Sequence, residues 1–157
     1  MTIRPLRRED QEPIERLLRE TDVFSEEEIG VAMELVGVYL DDPNQKDYEL
    51  YSSVDDGGTL NGYVCLGPTP ATQGTFDLYW IAVAPSEHGK GVGTTLLEFV
   101  EEQLKSRGGR LLIAETSSTP KYDKTRAFYE RKGFAPNARI KDYYKPGDDL
   151  IIYGKIL

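Results

Sequence analysis

Residues 80–94, Trp-Ile-Ala-Val-Ala-Pro-Ser-Glu-His-Gly-Lys-Gly-Val-Gly-Thr, constrain this chain more than any other segment. An apolar run ends at Pro85. Glycines follow at 89, 91 and 93, and an apolar spacing of helical period then begins at Val92. Glycine lets the backbone turn through conformations closed to other residues and brings it close to a ligand. The first turn of a helix carries N–H groups with no acceptor of their own, and its dipole favours negative charge. A strand, a glycine loop and a helix start in succession therefore make an anion site, and phosphate is the anion to expect there.

Two well-known phosphate loops do not fit. A P-loop needs Gly-Lys followed by Ser or Thr, whereas Gly93 is followed by Thr94 and Lys90 lies between glycines. A dinucleotide loop needs a third glycine where Thr94 stands, and belongs to a first βαβ unit rather than mid-chain. A third pattern fits. The run Val83-Ala84-Pro85, then His88-Gly89-Lys90-Gly91-Val92-Gly93, resembles motif A of the GNAT N-acyltransferase superfamily, with His88 where that motif has Gln or Arg. The block Arg126-Ala127-Phe128-Tyr129-Glu130-Arg131-Lys132-Gly133-Phe134 resembles its motif B. There Thr125 replaces an alanine, Arg131 replaces a lysine, and Tyr122 falls near the usual asparagine. The two blocks come in the family's order and at its separation.

Length and composition set bounds. At 157 residues the chain is expected to be a single domain over 1–157, large enough for one core. No run of eighteen apolar residues occurs, so no membrane span is expected. The N-terminal segment has no apolar signal stretch, and one cysteine, Cys65, allows no intrachain disulfide. A cytoplasmic protein is the expectation. The net charge of −8 disfavours nucleic acid as a partner and mildly favours a cationic or neutral acceptor.

The hydrophobic pattern reads as β over 2–7, α over about 11–20 capped by Asp10, and α from the capping box Ser25-Glu26-Glu27-Glu28 to about 40. Strands follow over 47–54 and 60–66, joined at Asp55-Asp56-Gly57-Gly58, and over 75–83. A helix from Val92 is ended by Gly108-Gly109, and 111–114 reads as a buried strand. Residues 122–132 form a helix stopped by Gly133, and strands over 134–144 and 150–156 close around 145–149. The order βααβββαβαββ is an α/β fold with a mixed, mostly antiparallel sheet flanked by helices. Strands 75–83 and 111–116, linked by a helix, should be parallel neighbours. This is the order of the GNAT acyl-CoA N-acyltransferase fold, in which the two parallel strands splay and admit the coenzyme.

The resemblance implies acetyl-CoA as cosubstrate, an amine as acceptor and direct transfer with no metal. It assigns the diphosphate to main-chain amides of about 88–94: His88, Gly89, Lys90, Gly91, Val92, Gly93 and Thr94. His88 is then a phosphate-side hydrogen-bonding group rather than a catalytic base. Pantetheine would lie along Ile81, Ala82 and Val83, pairing like an added strand, with the Val83 N–H on the donor carbonyl. Phe128 would pack near the coenzyme. Tyr129 matches the family's tyrosine acid; a phenol of pKa about 10 keeps its proton at neutral pH and can give it to a leaving thiolate.

Chemistry also asks for a base, because all but about one in a thousand primary amines of pKa near 10.4 are protonated at pH 7. Glu115, ending the strand parallel to 75–83, and Asp77, on that strand, are equal candidates. The family's acidic residue on this strand falls nearer Tyr79, where this chain has tyrosine. Trp80 and Cys65 read as core residues. Tyr39, Tyr48, Tyr51, Tyr122, Tyr143, Tyr144 and Tyr153 could build an acceptor pocket or simply suit strands. A homodimer is compatible with the sequence. The rivals are a non-catalytic CoA-binding module of the same fold and a nucleotide-dependent enzyme, the latter lacking any magnesium-holding motif.

Overall fold

The computed structural model describes every residue from Met1 to Leu157. Its elements run β1 (Thr2–Pro5), α1 (Gln11–Glu20), α2 (Glu26–Asp41), β2 (Glu49–Val54), β3 (Leu60–Pro68), β4 (Thr75–Val83), α3 (Val92–Lys105), β5 (Leu111–Ser117), α4 (Asp123–Arg131), β6 (Ala135–Lys145) and β7 (Asp148–Ile156). That is the order the sequence pattern predicts. The seven strands form one sheet in the order β1-β2-β3-β4-β5-β7-β6. The β1–β2, β2–β3, β5–β7 and β6–β7 pairs are antiparallel, and β4–β5 is parallel, as the helical crossover between them requires. No helix is long and apolar enough to cross a membrane.

Contacts divide the chain into two compact units, one of Met1–Gly67 with Tyr79–Glu102, the other of Pro68–Leu78 with Gln103–Leu157. In the first unit the i, i+3, i+4 spacing does what it implies. Ile14, Leu17 and Leu18 of α1 and Ile29, Ala32 and Val36 of α2 are buried together with Leu50, Tyr63, Cys65 and Ala82 of the strands. The capping box forms: the Ser25 hydroxyl accepts from the Glu28 N–H, and the Glu28 carboxylate accepts from the Ser25 N–H.

Asp10 is different. It stands just before α1, but its side chain caps nothing in that helix. A 3-10 turn, Arg8–Asp10, runs straight into α1, so Asp10 is itself helical. Its carboxylate instead accepts both Arg4 guanidinium nitrogens at 2.7 and 2.9 Å, the Arg7 N–H at 2.8 Å and the Ser52 hydroxyl at 2.9 Å. One buried acid thereby ties β1, the start of α1 and β2. Burial by itself would raise its pKa; the Arg4, Arg7 and Ser52 hydrogen bonds outweigh it and hold the group below its ordinary value.

In the second unit β5 lies between β4 and β7, with Leu112 and Ala114 buried. The β4–β5 ladder pairs Thr75 with Leu111 through Leu78 with Ala114 and ends there, although β4 continues to Val83 and β5 to Ser117. The last hairpin is tighter than the sequence suggests. Lys145 pairs with Asp148 across Pro146 and Gly147, because Gly147 supplies a φ of 84°. β6 is an edge strand, exposed along its length, and carries Pro136, Arg139, Lys141 and two register shifts, which are the features that keep an open edge from pairing.

Asp10→Ala should strand the Arg4 guanidinium, the Arg7 N–H and the Ser52 hydroxyl, costing about 3 kcal/mol in urea unfolding. The contribution of Asp10 is present above the ordinary aspartate range and lost as the pH falls through its depressed value. Acid titration of stability should therefore lose one such component below about pH 4 in Asp10→Asn.

Candidate functional site

The first unit contains the glycine loop. β4 is tied down at its end by the Ala84 N–H on the Asn61 carbonyl, 2.9 Å. Pro85–Glu87 makes one 3-10 turn, closed by the Glu87 N–H on the Ala84 carbonyl at 2.8 Å and the His88 N–H on the Pro85 carbonyl at 3.2 Å. Gly89 and Gly91 then take φ of 79° and 85°, a region costly to any residue with a Cβ. Gly93 stays out of that region.

α3 starts at Val92, and Thr95 is the first residue to bond back, its N–H and hydroxyl both reaching the Gly91 carbonyl at 3.0 and 2.9 Å. The N–H groups of Gly91, Val92, Gly93 and Thr94 are left without an acceptor in the protein. Converging N–H groups at a helix start are the donor set a diphosphate needs. A Cβ built on Gly89 or Gly91 meets nothing within 4 Å, so the loop's surface is open.

The other loop residues divide their work. His88 is exposed and turns back on the strand: its Nε2 lies 3.0 Å from the Val83 carbonyl and must be the donor there. In the neutral ring that leaves Nδ1 an acceptor, so only the imidazolium has a second N–H to offer. Lys90 is exposed, with its ammonium 3.6 Å from the Glu87 carboxylate. Val92 is buried, so it can contribute only its main chain to a ligand. Thr94 is half-buried, as are Ile81 and Val83, while Ala82 is buried.

Sequence reasoning missed Gly62. A Cβ there would lie 3.0 Å from Leu96 Cδ1, 3.1 Å from the Ala82 carbonyl and 3.3 Å from Val92 Cγ1. Its bare Cα lets the first turn of α3 press onto β3. The available signal was an isolated glycine inside an apolar strand pattern.

The second unit holds the aromatic and acidic candidates. Tyr129 is buried on α4, its ring 5.1 Å from Phe134, 5.7 Å from Tyr153 and 5.9 Å from the half-buried Phe128. Its hydroxyl makes no hydrogen bond within the protein and is not sealed from solvent. Burial pushes the phenol well above its usual pKa. The start of α4 is held by Arg126, which donates to the carbonyls of Ser117 at 2.6 Å and Thr119 at 2.9 Å and pairs with Asp123. Arg126 was legible only as the first letter of a motif; the structure makes it the clamp between α4 and the end of β5.

Tyr153 pairs with Ala114, so Tyr129 packs on the face of β5 that carries Ala114 and Thr116. Glu115 alternates to the opposite face and is exposed. Asp77 pairs in parallel register with Ile113 and so shares the face of Glu115. It is half-buried, and its carboxylate accepts the Thr69 hydroxyl at 2.7 Å, securing the turn before β4. Tyr129 thus stands on one face of this part of the sheet, and the two acids on the other.

The sequence model of the acetyltransferase (GNAT) family matches residues 12–134. A crystal structure from Desulfovibrio desulfuricans, assigned to GNAT-family acetyltransferases, shares 44% identity, covers 99% of this chain and 98% of its own, and has a TM-score of 0.92. The structure of an aminoglycoside 6'-N-acetyltransferase complexed with coenzyme A has the same fold at 19% identity, with 99% and 97% coverage and a TM-score of 0.76. N-alpha-acetyltransferase 30 of Schizosaccharomyces pombe is 28% identical over 100 residues, or 64% of this chain. The matched stretch is 56% of that relative's length, so the chain spans about half of it.

Gly91→Ala should cost about 1–2 kcal/mol in urea unfolding, from left-handed backbone strain alone. Gly62→Ala should cost more than that, because the Ala82 carbonyl cannot move aside as a side chain can.

Proposed function

This chain belongs to the acetyltransferase (GNAT) family, and on that footing we propose that it is an acetyl-CoA-dependent N-acetyltransferase acting on a primary amine. The observation that carries the reading is the open set of unpaired N–H groups at 91–94, in the loop whose sequence resembles the family's motif A. Each favourable anion contact at a helix start is worth about 0.3–2 kcal/mol. Four amides on one loop add up to a usable grip even on a chain of net charge −8. The amides are the main donors to the diphosphate in this reading. His88 holds the loop to the end of β4, and Lys90 contributes charge.

The reaction is direct. The amine lone pair attacks the thioester carbonyl carbon, the C–N bond forms, and the C–S bond breaks. The Tyr129 hydroxyl gives its proton to the departing sulfur. A buried phenol suits this role, because burial keeps it protonated even in alkaline solution. Glu115, on the other face of β5 from Tyr129, receives the amine proton through water rather than by direct contact. We prefer it to Asp77, whose carboxylate is engaged with Thr69. Ile81, Ala82 and Val83 offer main-chain groups to the pantetheine arm, and Phe128 packs beside it. Holding amine and thioester together supplies much of the acceleration. The chain acts as one domain, and its buried single cysteine suits a reducing, cytoplasmic setting.

Tyr129→Phe should lower kcat about a hundredfold or more while leaving CoA affinity in calorimetry within about threefold. Equal loss of affinity and turnover would make Tyr129 a packing residue. In the wild type the rate should rise with pH as the amine deprotonates, with no loss from Tyr129 ionisation below pH 10. Release of free thiol from acetyl-CoA across a panel of amines tests the activity itself.

A further inference from the structure

His88 is the only histidine in the chain, and it stands where the glycine loop begins. Its exposed ring is pinned at one nitrogen. Nε2 donates to the Val83 carbonyl at 3.0 Å, so the neutral ring presents Nδ1 as a bare acceptor. A lone pair on that atom repels an anion. A proton on it turns the same atom into a charged donor, and the bond to Val83 stays as it is. Glutamine or arginine at this place would offer a further N–H at every pH. Histidine offers one only as imidazolium.

The surroundings couple that proton to the ligand. His88 and Gly91 are three residues apart, so their Cα atoms are separated by no more than roughly 10 Å, and the free N–H groups begin at Gly91. That distance is about one Debye length at 0.1 M salt, within which an opposite charge favours the imidazolium. In the free protein the positive end of α3, which starts at Val92, disfavours it. The charged groups of the loop are Glu87 and Lys90, whose carboxylate and ammonium lie 3.6 Å apart. The elements that frame the loop add no charge near it: β3 carries no Asp, Glu, Lys or Arg, β4 none after Asp77, and α3 none before Glu98. Their other titratable groups are the phenols of Tyr63 and Tyr79 and the Cys65 thiol. Burial raises the Tyr63 phenol and pushes the Cys65 thiol up to about 12.

We propose that the diphosphate binds with uptake of a proton onto His88 Nδ1, so that coenzyme affinity rises as the pH falls through the histidine range. The inference rests on the reading above that this loop holds a diphosphate. The proton comes from the medium and returns to it when the coenzyme leaves. Well below the histidine range the ring is charged in both states, and well above it neutral in both, so the affinity changes only between.

The test uses dephospho-CoA, because coenzyme A carries a 3′-phosphate monoester that titrates in the same range, whereas the diphosphate keeps its charge throughout. Calorimetry on the full chain should give an affinity about threefold or more tighter at about pH 6 than at about pH 8. Repeated in buffers of different ionisation enthalpy, it should report net proton uptake. His88→Gln keeps an N–H for the Val83 carbonyl and should show neither effect, with thermal melting as the control for folding. The N-terminal amine, 2.9 Å from the Asp56 carboxylate, is common to both proteins and cancels between them. The Cε1 resonance of the single histidine should titrate at higher pH in the complex than in the free protein. An affinity that does not rise toward the acid side, proton uptake retained in His88→Gln, or a histidine resonance that titrates at the same or lower pH in the complex would each overturn the proposal. Saturable binding without proton uptake sinks this inference alone. No saturable binding at any pH sinks the diphosphate reading, and this inference with it.

Discussion

The first turn of α3 rests directly on β3, and the glycine loop owes its shape to that contact. Val92 and Leu96 can reach the strand because Gly62 has no side chain. Val92 and Leu96 are both buried, so this contact fixes which face α3 turns to the strand. The Asn61 carbonyl next door takes the Ala84 N–H, so the strand end and the helix start are both referred to two adjacent residues of β3, Asn61 and Gly62. Gly89 and Gly91 then bridge the distance with two left-handed residues. A phosphate-binding loop is often described by its glycines. Here those glycines only complete a geometry that hydrophobic packing imposes.

What the sequence made legible follows from what is local. Helix faces, the Ser25 capping box and the glycine loop are each written in residues that touch one another along the chain, and the structure has them where the pattern puts them. Asp10 shows the limit. Aspartate before a helical run reads as a cap, and nothing local says that Arg4 and Ser52 compete for the same carboxylate. Two charged hydrogen bonds from Arg4 outweigh one capping bond, so the helix is entered from a 3-10 turn instead. Gly62 and Gly67 fall on the same side of that limit. Each is required by a backbone or side chain that arrives from elsewhere in the chain: Ala82 and α3 at one, Asp47 at the other.

The two candidate acids illustrate the same point within the site. Asp77 and Glu115 have the same chemistry, share a face, and were equal on sequence alone. What separates them is Thr69, eight residues before Asp77, whose hydroxyl returns across the turn to its carboxylate. That bond secures the turn feeding β4 and spends one of the lone pairs a base would need. Glu115, one residue past the end of the β4–β5 ladder, carries no such duty and remains exposed. Burial ranks the aromatics similarly. Tyr129 sits among three rings and has a free hydroxyl, whereas the hydroxyl of Tyr153 beside it is committed to Glu130 at 3.2 Å.

In the proposed reaction, burial of Tyr129 decides which direction a proton can move. A phenol held above its usual pKa is a poor base, because its anion would sit among apolar rings. It is also a weaker acid in the equilibrium sense, yet a thiolate leaving group needs only a donor at the moment sulfur gains charge. A hydroxyl that spends no hydrogen bond on the protein can turn to that sulfur without breaking one. Burial among the rings thus keeps the proposed donor protonated.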